Sequence, residues 1–150
     1  MPASPPANRD TALDRLDALV GEWQIQISHE LAQFAGRASF EWMPGRMFLV
    51  QRWDTDQPFP GGVAIIGPAD AEAGFTQHYY DQRGVSRELQ MDVRGDTWTL
   101  FRERRGPGEL SQRFTGTFSP DRQTVTGRWE RADDGTTWQH DFDMTYRKVT

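Results

Sequence analysis

The sequence contains no cysteine. Disulfides, thiolate nucleophiles and cysteine-ligated metal sites are therefore excluded. A chain without a disulfide framework suits a reducing compartment, and a cytoplasmic location is expected. No apolar run approaches the ~20 residues with which a helix spans a bilayer, so no membrane partner is expected. Met1 to Asn8 is rich in Pro, Ala and Ser and lacks the apolar core of a secretory signal. Residues 1–9 read as a disordered tail and residues 10–150 as a single domain. Histidine is scarce: His29, His78 and His140 lie far apart and form no close-spaced metal-ligand motif. An excess of positive charge is also missing. Seventeen Lys and Arg against 22 Asp and Glu leave a net charge of −5, a field that repels phosphate backbones. No nucleic-acid partner is expected. The chain has no P-loop, dinucleotide fingerprint or nucleophile elbow.

Aromatic residues, by contrast, are plentiful: six Trp, nine Phe and three Tyr. They favour strands and ligand pockets alike. One short helix opens the domain. Asp10 can cap it, and Leu13, Leu16 and Val20 recur at helical spacing. Gly21 follows, where a helix can end with positive φ. The helix should cover one mouth or flank of the fold.

After Gly21 the period changes to two. Trp23, Ile25 and Ile27 alternate with Glu22, Gln24 and Gln26, the pattern of a half-buried strand. Further strands are expected at 37–43, 47–54, 63–67, 75–81, 85–93, 97–104, 112–118, 124–131 and 137–149. Turn residues separate them, among them Pro44-Gly45, Arg83-Gly84, Gly95-Asp96 and Asp133-Asp134-Gly135. The connections are too short for crossover helices, so the strands are antiparallel neighbours. About ten such strands close most simply into an up-and-down antiparallel β-barrel; a two-sheet sandwich is the alternative. A ten-stranded barrel is wider than an eight-stranded one, so a cavity is expected unless the protein's own aromatics fill it.

The last strand carries the sharpest pattern. Trp138, His140, Phe142, Met144 and Tyr146 fall on one face by parity, and Gln139, Asp141, Asp143 and Thr145 on the other. The first face is apolar and should point inward, which makes His140 an imidazole in an aromatic wall. A second polar cluster comprises His78, Tyr80 and Asp81 with Arg83 and Arg87. Such groups can orient a carboxylate or an enolate, or act as acid and base; the plainer reading is an outer face with a turn held by Asp81 and Arg83. Parity puts Thr76, His78 and Tyr80 on one face and Phe75, Gln77 and Tyr79 on the other without saying which is inside. Trp42 or Trp53 could serve a homodimer through an exposed strand face.

Three resemblances follow from these segments. Gly21-Glu22-Trp23 before the first strand, with Arg147 near the end of the last, resembles the lipocalin signature, in which an Arg stacks on the Trp and plugs one end. The tail from Gln139 through Thr150, together with that opening, is similar to the ends of nitrobindins, roughly ten-stranded calycin barrels. In that family a last-strand histidine ligates haem iron, so the resemblance implies His140 as an axial ligand. Several further segments, including 48–52, 77–85, 113–118 and 127–130, resemble a group of uncharacterised bacterial lipocalin-like proteins, a likeness that implies the fold and no reaction.

The first functional reading is a barrel that binds a small hydrophobic molecule, with His140, Trp138, Phe142, Met144, His78, Tyr80 and Arg87 as ligand-binding residues. The second is a haem protein with iron on His140. The third is a cofactor-free enzyme using His78, Tyr80 or Arg87. The fourth is a barrel filled by its own aromatics that acts through its surface.

Overall fold

The structure, a computed structural model, describes residues 9–69 and 74–150. Ten antiparallel strands run β1 (Gly21–His29), β2 (Ala32–Trp42), β3 (Leu49–Thr55), β4 (Gly62–Pro68) and β5 (Phe75–Asp81). They continue as β6 (Ser86–Arg94), β7 (Thr97–Arg102), β8 (Ser111–Phe118), β9 (Thr124–Ala132) and β10 (Gln139–Lys148). Each strand pairs with the next, and β1 pairs with β10, so the sheet closes into a barrel with no free edge. The up-and-down barrel read from alternation and turn spacing is the fold observed.

Strand β2 begins five residues earlier than the sequence pattern suggests. Only Glu30 and Leu31 separate β1 from β2, with His29 opposite Ala32. Glu30 takes a positive φ of 56° there, without the Gly or Asn that marks such turns. The hairpin therefore left no turn signature to read.

The N-terminal helix (Thr11–Leu19) is a 3₁₀ helix. Asp10 caps it as expected, accepting from the Ala12 amide at 2.8 Å. With three residues per turn, the buried stripe is Leu13, Leu16 and Leu19 rather than the α-spaced set ending in Val20. These leucines close one end of the barrel, packing into the core that includes Leu49, Ile66, Met91 and Val93. Arg15 ties the helix to β6 through the Val93 carbonyl (2.8 Å) and the Asp92 carboxylate (2.9 Å). Asp17 receives Trp42 Nε1 at 2.8 Å and Arg46 at 3.0 Å.

Residues 1–8, most of the tail assigned from composition, lie outside the described residues. Arg9 is placed against the domain: its Nε donates to the Arg46 carbonyl at 2.7 Å, and its guanidinium lies over Trp42. Trp42 thus has three partners within the chain, Arg9, Asp17 and Arg46.

At the same end, Trp23 sits inside with 1% of its surface exposed. The cation over its ring is Lys148, at 5.4 Å, not Arg147. Trp23 lies opposite Lys148 in the β1–β10 register, which sends Lys148 to the inner side and Arg147 outward. Gly21 has φ of +131°, and a Cβ there would collide with the Thr150 carbonyl oxygen. Only glycine suits that close approach of chain start to chain end.

Candidate functional site

Behind the sealed end stands a layer of aromatic rings. Trp98 is its hub, with Phe114 at 4.9 Å, Tyr146 at 5.3 Å and Phe40 at 5.9 Å between ring centroids. The indole N–H of Trp98 is buried and meets no acceptor among the described residues. Tyr146 is buried to 5% exposure, and burial pushes its phenol well above the ordinary tyrosine range.

Beyond that layer the barrel is hollow. A cavity of about 490 Å³ opens at the end opposite the helix, within the size range of small-molecule sites. Trp98 and Tyr146 form its floor. Leu89, Leu100, Trp129, Phe142 and Met144 supply apolar wall. Phe59, in the β3–β4 loop, stands over the mouth against Phe34 (5.1 Å) and Phe142 (5.4 Å).

Polar side chains share the lining, and several of them are paired with one another. Gln77 donates to Gln51 at 3.2 Å in the buried interior. Trp53 donates its indole N–H to the Pro60 carbonyl at 3.0 Å, and Tyr79 stacks on its ring. At the rim, the Tyr79 hydroxyl donates to Asp81 at 2.5 Å, and Asp81 also holds the Arg83 guanidinium at 2.7 Å. Burial first, then the Asp81 carboxylate, pushes Tyr79 up to about 12. Burial alone would raise Asp81. Hydrogen bonds from the Arg83 and Tyr79 side chains and from the amides of Arg83 and Val85 outweigh it and hold the carboxyl well below its usual range. Arg87 reaches Gln112 Oε1 at 2.7 Å. Burial, and then the neighbouring Arg102, lower its pKa.

The sequence-derived site residues divide between the two faces. Phe142, Met144 and Arg87 line the cavity. The placement of His140 and Trp138 corrects the parity argument. Between His140 and Phe142 the β9–β10 register slips: His140 pairs with Glu130 and Phe142 with Trp129. Two residues of β10 thus answer one step of β9, a β-bulge with Asp141 as the extra residue. Everything before the bulge turns over. His140 is exposed on the outer wall with its Nε2 2.9 Å from Asp143, while Asp141, assigned to solvent, lines the cavity. Trp138 lies outside as well, with the Arg113 guanidinium 4.1 Å above its ring and Phe101 beside it. Arg113 also forms a two-pronged pair with Glu130 on that face.

The β5 ambiguity resolves the same way. Phe75 and Gln77 are buried and Tyr79 lines the cavity, so His78 and Tyr80 face solvent. The His78–Tyr80–Arg87 constellation is therefore not assembled, since Arg87 alone of the three points inward. Haem held in the cavity would not meet the His140 imidazole; the residues present do not fit the ligation that the nitrobindin likeness implies. The imidazole in the cavity lining belongs to His29, beside Phe59. No group of three or more metal-binding side chains occurs among the described residues. No described helix is long and apolar enough to cross a membrane.

Comparison with known proteins adds the architecture alone. No protein-family model matches the chain, and no curated protein matches it. Among solved structures, Rv2717c from M. tuberculosis superposes with a TM-score of 0.64 at 14% sequence identity. The match covers 95% of this chain and 100% of that one. The likeness is one of fold. The whole barrel is therefore a shared architecture, while the cavity's side chains must be read from this chain itself.

Sequence reasoning missed Trp98, Tyr79, Gln51, Gln77 and Gln112. A signal existed for the two interior glutamines: Gln51 follows the apolar pair Leu49-Val50, and Gln77 shares a face with Phe75. A glutamine on an inward face needs a partner, and each is the other's.

Proposed function

We propose that the barrel binds a small, mostly apolar molecule in the cavity at its open end. The observation that carries this reading is the contrast within one closed barrel. One end is packed solid, whereas the other keeps about 490 Å³ walled by Leu, Met and aromatic side chains. Cores fill to near-crystalline density, and a space of this size goes unfilled where an occupant uses it. The reading uses Phe142, Met144 and Arg87 of the sequence-derived set and leaves His140, Trp138, His78 and Tyr80 on the outer wall.

The test is a titration with N-phenyl-1-naphthylamine, a neutral apolar fluorophore. Wild-type protein should enhance its emission with saturation at one equivalent. Met144→Trp and Leu89→Phe, which fill the wall, should weaken that enhancement while keeping the wild-type circular dichroism. Absence of a saturable enhancement, or one unchanged in both filled variants, overturns the proposal.

A further inference from the structure

Cationic groups outnumber anionic ones in the cavity lining. Gln77 Nε2 donates to Gln51 Oε1 at 3.2 Å, which leaves the Gln51 amide nitrogen and the Gln77 amide oxygen open. Three guanidinium groups and one carboxylate, Asp141, belong to the lining. Two of the arginines are already neutralised: Arg83 by Asp81 at 2.7 Å, and Arg131 by Asp133 at 2.8 Å. Arg87 differs. Its hydrogen-bond partner is the neutral amide oxygen of Gln112, and no carboxylate lies within ion-pair distance of it among the described residues. Asp81 is near enough to act on it through space but is held by Tyr79 and Arg83. A half-buried guanidinium with open fork positions binds a planar two-oxygen anion better than any neutral group.

We infer that the occupant is an amphipathic monocarboxylate, an aromatic or branched aliphatic acid whose carboxylate sits on Arg87 beside Gln112 and whose apolar body fills the wall of Trp129, Phe142 and Met144. This assignment rests on the cavity-binding reading above. It explains why Arg87 is kept charged and unpaired next to an apolar space. Asp141, in the same lining, works against a second negative charge and limits the ligand to one.

The experiment compares two probes of one shape, sodium 2-naphthoate and neutral 2-naphthamide, titrated into wild-type protein and followed by tryptophan fluorescence. The naphthoate should bind at least about tenfold more tightly, the scale of one charge-assisted hydrogen-bonded contact. Arg87→Met should bring the two affinities within about twofold of each other. Arg128→Met, which removes an equal charge from the outer wall, should leave the ratio intact. Equal wild-type affinities, or a preference that survives in Arg87→Met, overturn the carboxylate assignment while leaving the cavity reading standing. Binding of neither probe overturns both. The wild-type ratio decides by itself if Arg87→Met does not fold.

Discussion

The two ends of this barrel are made from the same ten strands and behave as opposites. At one end the strands converge on Leu13, Leu16 and Leu19, each with 1% or less of its surface exposed, and the helix that carries them is tied down by Arg15 and Asp17. There the indole N–H of Trp23 is satisfied by the Leu19 carbonyl at 2.8 Å. At the other end no helix among the described residues covers the mouth, and the indole N–H of Trp98, whose ring forms the cavity floor, has no acceptor among them. Two buried tryptophans in one barrel thus differ in the detail that matters. One completes a finished core with its indole hydrogen-bonded, and the other lays its ring along the cavity floor with its indole N–H unpaired among the described residues. Stability is concentrated where the polar groups are closed, and binding capacity where they are left open.

Substitutions at the two ends should separate these roles. The largest effect is expected from Leu16→Ala. It should lower unfolding free energy in urea by about 3 kcal/mol, because the tightly packed end cannot collapse onto the hole. Met144→Ala, on a wall that already borders empty space, should cost about 1 kcal/mol, since fewer contacts are lost. Equal losses would erase the contrast. Gly21→Ala comes next. With φ at +131° and the Thr150 carbonyl in the way, it should cost more than about 1 kcal/mol by the same measurement.

A finer comparison pairs Trp23→Phe with Trp98→Phe. Removing the Trp23 indole strands the Leu19 carbonyl, so Trp23→Phe should be the more damaging by about 1 kcal/mol, although both lose similar volume. The smallest effect concerns pH. The folded-state pKa of Asp81 lies below its unfolded value, so its contribution to stability is present above about pH 4 and is lost as pH falls through the folded value. Asp81→Asn should flatten the acid limb of the stability curve below about pH 4 and leave the neutral region parallel to wild type. A limb that stays equally steep would show that the rim carboxylate contributes nothing.

The sealed end was the more legible of the two in the sequence. Gly21, Trp23, Asp10, Leu13 and Leu16 each obey a local rule, with Leu19 in place of Val20 once the helix winds as 3₁₀, and period-two alternation with short turns pointed to about ten strands that close more simply into a barrel than into a sandwich. The open end depends on events that a local pattern does not encode. One inserted residue, Asp141, reverses the faces of Trp138 and His140, and nothing in Gln139-His140-Asp141-Phe142 marks a bulge by composition. Likewise His78 and Tyr80 against Gln77 and Tyr79 is a choice between two polar faces, settled only by which side the neighbouring strands bury. The cavity's polar pairs, Gln77 with Gln51 and Arg87 with Gln112, join strands far apart in sequence.

The most direct test of the difference between the two ends is an NMR titration that follows the tryptophan indole N–H resonances as 2-naphthoate and 2-naphthamide are added in turn. Binding at the open end predicts a saturable shift of Trp98, with Trp129 following, while Trp23 stays in place. A Trp98 resonance unmoved by both probes, or shifts confined to the sealed-end indole of Trp42 and the outer-wall indole of Trp138, would contradict it.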